Sequence, residues 1–326
     1  MVEQILEDLW RIEVPLPNTP LRAVNSYVIR GASRNLIVDT GLNLEECRKA
    51  MCGGLEEIGI DLGRTDFFIT HMHADHSALV PALAAESSKV YFNGPDAQVL
   101  REPFHWEPML EYAAAHGFPE DELRAAMHSH PGYRHGATKV PALTLLEDGS
   151  ALEAGDHRFR CIQTPGHTRG HMCLYEPARK LLLSGDHLLV DITPNIQCWS
   201  DKLDPLAEYL ASLEKVAALE VDLVLPGHRR LFRDHRGRIE ELKAHHRRRA
   251  GEVLSILDEG PKNAFQVASQ MTWDIDCDSW DGFPVAQKWF ATGETIAHLR
   301  YLEAKGRILR ENSGEGVAFR RTSQAR

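Results

Sequence analysis

The sequence predicts an α/β fold in which sheets are covered by helices, with a helical insertion and a separate C-terminal domain. Three observations lead there. Short apolar runs of strand character alternate with stretches of helical periodicity on both sides of an interruption at about 101–139. Histidines and aspartates cluster just after several of those runs, where strand ends would deliver them. From Arg238 onward the pattern turns helical three times and then reads as a hairpin, the order of a winged helix. The expected domains are therefore 1–237, containing the inserted lid, and 238–326.

Trp10, Ile12 and Val14 alternate with Arg11 and Glu13, the period of a half-buried strand. Ser26–Arg30 and Asn35–Asp39 predict two more strands around a turn at 31–34. Leu44, Cys47, Met51, Leu55 and Ile58 recur at helical spacing, although Gly53-Gly54 interrupts the pattern. Phe67-Phe68-Ile69 is a buried strand running into His71, and Ala78–Leu83 reads as a helix beside it, with Pro81 tolerated in its first turn. Lys89–Phe92 is a strand ended by Asn93-Gly94-Pro95. In the insert, Trp106–His116 and Pro119–His128 read as helices, with Pro119 at a first-turn position. Strand character returns at Leu143–Leu146, Phe159–Gln163, Met172–Tyr175, Lys180–Leu183 and Val221–Leu225. Asp204-Pro205 caps and starts a helix whose buried face is Leu206, Tyr209, Leu210, Leu213, Val216 and Ala217. A helical stretch that begins near Arg238, includes Val253, Leu254, Ile256 and Leu257 and ends at Gly260-Pro261, then helices at Ala264–Met271 and Val285–Lys305, precede the hairpin 307–310/317–319.

Composition sets bounds on the chemistry. A chain of 326 residues suits roughly two domains of ~150 residues. The acidic start Met1–Asp8 does not read as a secretory signal, and no apolar run approaches the ~20 residues of a membrane helix. Six cysteines without a C-x-x-C pair predict free thiols and a reducing, cytoplasmic setting. A formal charge of −10 argues against a whole-protein footprint for nucleic acid. The one strongly basic run, His245–Arg249, reads as a solvated helix face.

The chemistry-bearing stretch is Thr70-His71-Met72-His73-Ala74-Asp75-His76. His71 and His73, two apart on an extended segment, would point to one side, while Asp75 and His76 would turn toward a neighbouring point. Three later stretches repeat one layout of apolar run, small turn residue and polar ligand: Thr164-Pro165-Gly166-His167, Ser184-Gly185-Asp186-His187 and Leu225-Pro226-Gly227-His228. One cation could not easily use four ligands from so tight a segment. Two neighbouring cations could, with His167 completing one set, His228 the other and Asp186 bridging. Any one of these histidines alone reads as an ordinary hydrogen-bonded residue; the ordered set does not. Imidazole and carboxylate without thiolate suit two zinc ions, with iron and manganese as alternatives.

These stretches resemble the metal-binding motifs of the metallo-β-lactamase superfamily in its glyoxalase II-like hydrolase branch, over about Leu9–Arg230. The resemblance implies an αββα sandwich with the site at one sheet edge. It implies a first metal on His71, His73 and His167, a second on Asp75, His76 and His228, and Asp186 between them. Ala78 departs from the glycine that many thioester-hydrolysing members carry. The C-terminal stretch resembles the winged-helix-like appendage of the β-lactamase-like endoribonuclease group.

The expectation is a metal-dependent hydrolase that directs a metal-bridging hydroxide at a small ester-like substrate, a thioester by preference, with Asp75 ligating, orienting and carrying a proton. Asp39, His171 and His187 are candidates to orient the ligands. Phe104, Trp106, Met109, Leu110, Tyr112 and Phe118 would form an apolar roof. Rival readings are a single-strand endoribonuclease, a mononuclear iron persulfide dioxygenase using His71, His167 and Asp186, and a DNA-binding sensor. The expected partner is a small molecule rather than a membrane; RNA is disfavoured, and a homodimer stays open.

Overall fold

A computed structural model describes residues 1–17, 19–101, 106–135, 142–275, 277–313 and 316–322. In chain order the first strands are β1 (Val2–Leu6), β2 (Leu9–Pro15), β3 (Ala23–Ile29) and β4 (Asn35–Val38), then α1 (Glu45–Glu57) and β5 (Thr65–Phe68). Next come α2 (Ala74–Ser77), α3 (Val80–Leu83), β6 (Val90–Asn93), α4 (Gly94–Arg101), α5 (Glu107–Ala115), α6 (Glu120–Ser129) and α7 (Pro131–His135). β7 (Leu143–Leu146), β8 (Ala151–Ala154), β9 (His157–Gln163), β10 (Met172–Glu176) and β11 (Leu181–Gly185) follow, then α8 (Pro205–Ala217) and β12 (Leu223–Pro226). The chain closes with α9 (His235–Leu257), α10 (Ala264–Ala268), α11 (Val285–Ala304), β13 (Ile308–Ser313) and β14 (Gly316–Arg321).

The chain divides into two compact units. One comprises Met1–Phe104, His135–Pro194 and Ser212–Ile239; the other His105–Arg134, Asn195–Ala211 and Glu240–Arg326. They are drawn differently from the expected division at 237/238, because the insert helices and the segment 195–211 group with the C-terminal part.

In the first unit, β1 to β7 pair in sequence order, antiparallel as far as β4 and parallel from β4 to β7. The second sheet runs β12-β11-β10-β9-β8, with β11 and β12 its parallel pair. Successive side chains of a strand point to opposite faces, so each strand of the first sheet feeds two layers. Tyr27, Ile29, Val38 and Phe68 meet Phe159, Cys161, Met172, Leu174, Leu183 and Leu225 of the second sheet. Their neighbours Val28, Ile37 and Phe67 point away, onto Cys47, Met51 and Leu55 of α1 and onto Leu79 and Val80. Gly54, the apparent flaw in the α1 pattern, is explained by this layer. A Cβ there would lie 2.9 Å from two carbons of Ile12, so glycine lets the helix sit close on β2.

In the second unit, Ala113, Phe118, Leu123, Ala126 and Trp289 form a core of α5, α6 and α11, with Met109, Leu110, Trp199 and Phe265 packed against it. Of the residues expected to form an apolar roof, Phe118 is a core residue, Met109 and Leu110 pack half-buried against that core, Tyr112 donates its hydroxyl to Asp201 at 2.8 Å, and Phe104 lies outside the described residues. The basic run is corrected: His246 and Arg249 are buried in a single long α9. Arg249 bonds the Thr272 carbonyl, faces Glu294 and lies over the Trp273 ring, so only Arg247 and Arg248 remain exposed. Pro119 is the N-cap of α6 rather than a first-turn residue. The six cysteines are free. Among the described residues no helix is long and apolar enough to cross a membrane.

Candidate metal centre

Parallel pairing brings the ligand-bearing loops to one edge of each sheet. β4 and β5 run side by side, with Val38 opposite Phe68, so Asp39 and the segment from Thr70 leave the sheet together. In the second sheet Gly185 pairs with Pro226, which places Asp186 and His228 one and two residues beyond adjacent strand ends. The two edges meet at Asn25, whose side chain donates to the carbonyls of Pro226 and Arg229 at 2.9 and 2.8 Å.

All seven expected ligands come together. Three groups of donor atoms lie within 4.8 Å of one another: His71, His73 and His167; His71, His76 and Asp186; Asp75, His76 and His228. In the first, His73 Nδ1 is 3.0 Å from both His71 Nε2 and His167 Nε2. In the last, the Nε2 atoms of His76 and His228 are 3.3 Å apart, and Asp75 Oδ2 is 3.4 Å from His228. Asp186 reaches both sides: Oδ1 is 3.5 Å from His76 Nε2, while Oδ2 is 3.6 Å from His167 and 3.4 Å from His228. The reason His71 and His73 converge differs from the expectation. β5 ends at Phe68 and residues 70–72 bend, so the two rings approach through different nitrogens rather than along an extended strand.

The backbone leaves no slack. A Cβ at Gly227 would lie 2.6 Å from Asp186 Oδ1 and 2.9 Å from His76 Cε1. One at Gly185, where φ is +47°, would lie 2.7 Å from His171 Nε2. Glycine is what allows the chain to pass behind the ligands.

Ligand orientation is fixed from behind, as metal-binding imidazoles require. Asp39 holds a left-handed backbone (φ 58°) and accepts from Thr70 N and Thr70 Oγ1, both at 2.8 Å, and from His76 Nδ1 at 2.7 Å. With its own proton given to Asp39, the Thr70 hydroxyl accepts from His71 Nδ1 at 3.0 Å, which leaves the Nε2 lone pair facing the site. His228 Nδ1 donates to the Ala23 carbonyl at 2.7 Å. His171 pairs with Thr164 Oγ1 at 2.7 Å and accepts the Asp186 backbone N–H at 3.1 Å, so it acts on Asp186 through the main chain. The His187 ring sits 6.0 Å from that of His171. Of the three orienting candidates, Asp39 and His171 thus touch ligands directly. The Ala23 carbonyl carries no motif of its own, and Thr70, although part of the histidine-rich stretch, shows its orienting role only in the fold.

The electrostatics fit a cation. Burial, then the neighbouring imidazoles, hold His71 far below the usual histidine range and His73 at about 3, so both are neutral with free lone pairs. Burial opposes charge on His76 and His228 as well. There the carboxylates win, Asp39, Asp186 and Asp75 for His76, Asp186 and Asp75 for His228, the latter raised to about 10. Asp75 and Asp186 stay ionised despite burial because those imidazoles face them. Among the described residues no hydrogen-bond partner meets the buried Oδ1 atom of Asp186. Converging lone pairs, two buried carboxylates and an acceptor lacking a donor are a donor set made for positive charge.

Comparison with known proteins agrees. The family model described as the metallo-beta-lactamase superfamily matches residues 19–228, and one described as the metallo-beta-lactamase-like C-terminal domain matches 251–322. The probable metallo-hydrolase YqjP of Bacillus subtilis (strain 168) is 27% identical over 327 residues, 96% of this chain and 98% of its own. The Homo sapiens acyl-coenzyme A thioesterase MBLAC2 is 26% identical over 225 residues, 64% of this chain and 74% of its own. A crystal structure of a metallo-beta-lactamase family protein from Thermus thermophilus superposes with a TM-score of 0.81 at 30% identity, covering 98% of this chain and all of that one. The chain therefore belongs to the metallo-beta-lactamase superfamily, as a metal-dependent hydrolase.

Proposed function

We propose that the protein is a binuclear hydrolase of small acyl thioesters, allied to the glyoxalase II-like branch. The carrying observation is that Asp186 stands within 3.4–3.6 Å of ligand nitrogens from both outer groups, the place of a bridging ligand. His71, His73 and His167 would hold one ion and Asp75, His76 and His228 the other, zinc by the match of imidazole and carboxylate donors. Two such ions supply a water activated near neutral pH and a Lewis acid for the developing oxyanion.

The chain's own residues do the rest. Asp39, Thr70 and the Ala23 carbonyl keep the imidazoles pointed inward. Asp75 has a side chain 19% exposed against 8% for Asp186, so it is the carboxylate that can take a proton at Oδ and return it to a leaving thiolate. The thioester preference rests on the named activity of the human relative. RNA is less favoured because C-terminal arginines are engaged internally: Arg310 with Asp201, Arg320 with Glu311 and Arg321 with Asp258. Phosphate-tracking surfaces need free cations.

The test is metal quantification followed by a screen of acyl thioesters, lactones, phosphodiesters and short RNA. Two zinc ions per chain with thioester turnover supports the reading. A single iron, or turnover of RNA alone, overturns it.

A further inference from the structure

Asp96 is a buried carboxylate that no motif marks, on the first turn of α4, where the sequence suggested only a turn. Its side chain joins two loops far apart in the chain. Oδ2 accepts the Met72 backbone N–H at 3.0 Å and the Thr168 hydroxyl at 2.7 Å, and Oδ1 accepts the Gly170 N–H at 2.6 Å. Met72 is the residue between His71 and His73, and Thr168 follows His167. All three histidines of the first group are thus within one residue of a group bonded to this carboxylate.

The fit is tight on both sides. A Cβ at Gly170 would lie 2.6 Å from both Asp96 Cγ and Asp96 N, so the second glycine of Thr164-Pro165-Gly166-His167-Thr168-Arg169-Gly170-His171 makes room for the carboxylate. A buried carboxylate with three donors is held firmly, because losing any donor leaves an acceptor without a partner. The three bonds end on the segments carrying the first group; His76 and His228 of the second group are held by Asp39 and the Ala23 carbonyl, and Asp39 also reaches His71 through Thr70.

We infer that Asp96 is a positioning residue for the three-histidine metal group, a strut that fixes the loop of His71 and His73 against the loop of His167. The inference rests on the two-metal reading above. Asp96 acts on one site of the two, and that selectivity separates positioning from general support of the fold.

The test measures zinc affinity by chelator competition in the full chain, with circular dichroism as the folding check. Wild type binding two zinc ions establishes the two-metal reading; binding none or one would overturn that reading whatever Asp96 does. Asp96→Ala is then placed in two backgrounds. With His228→Ala, which keeps the three-histidine group, it should weaken the remaining zinc about 10- to 100-fold, the usual effect of losing a residue that orients ligands. With His167→Ala, which keeps the other group, it should change nothing further. Asp96→Asn, which keeps an acceptor for Met72 and Thr168, should restore part of the loss. If Asp96→Ala does not fold, Thr168→Val removes one donor of the same strut more gently and should show the same selectivity. Unchanged affinity at the three-histidine group, or equal weakening of both groups, overturns the assignment.

Discussion

Replacing Asp186 by asparagine removes one negative charge while keeping side-chain volume, and so isolates what the shared carboxylate does. Asp186 faces three imidazoles at 3.4–3.6 Å, so the substitution will also change stability without zinc. The informative quantity is therefore the zinc-dependent gain in stability. A residue that merely orients a ligand is worth 10- to 100-fold in affinity, so a ligand shared by two ions should cost at least 100-fold, about 2.7 kcal/mol. With zinc at 1,000 times the wild-type Kd, the gain of about 4 kcal/mol should fall to about 1.4 kcal/mol. At about 2–4 °C per kcal/mol, the zinc-induced rise in Tm should shrink by about 5–10 °C. Scanning calorimetry of chelator-treated and zinc-loaded protein measures this, with elemental analysis giving stoichiometry. Two zinc ions bound at wild-type affinity and an undiminished Tm gain would refute the bridging role.

Asp39→Ala unties His76 Nδ1 and both donors of Thr70; zinc competition should show about 10- to 100-fold weaker binding without loss of fold. Phe118→Ala empties the centre of the second unit's core and should cost about 3–5 kcal/mol by urea unfolding, an outcome a surface-roof residue would not give. His298 is buried and held neutral, at about 4 against its ordinary 6.5, mainly by burial. The unfolded chain takes the proton first, so this contribution is full above pH 6.5 and is lost as pH falls from 6.5 toward 4, about 3 kcal/mol in all. His298→Gln should flatten the pH dependence of the urea midpoint in that window. An unaltered slope would assign the acid sensitivity elsewhere.

The seven candidate ligands that the fold brings together were legible in the sequence, because apolar runs ending in a small residue and a histidine or aspartate state both where a strand stops and what it delivers. The sequence also determined the alternating strands and helices of the first unit, since periods of 2 and 3.6 are local properties. It left other things to the tertiary structure. Phe118 has the same apolarity whether it roofs a site or fills a core, and only its packing against Trp289 and Phe265 decides. His246 and Arg249 sit in a basic run, yet their face of α9 is buried because Glu294, Thr272 and Trp273, distant in sequence, receive Arg249. Asp96 has no spacing to betray it. Its role arises from three donors on loops 24 to 74 residues away, brought to it only by the folded chain.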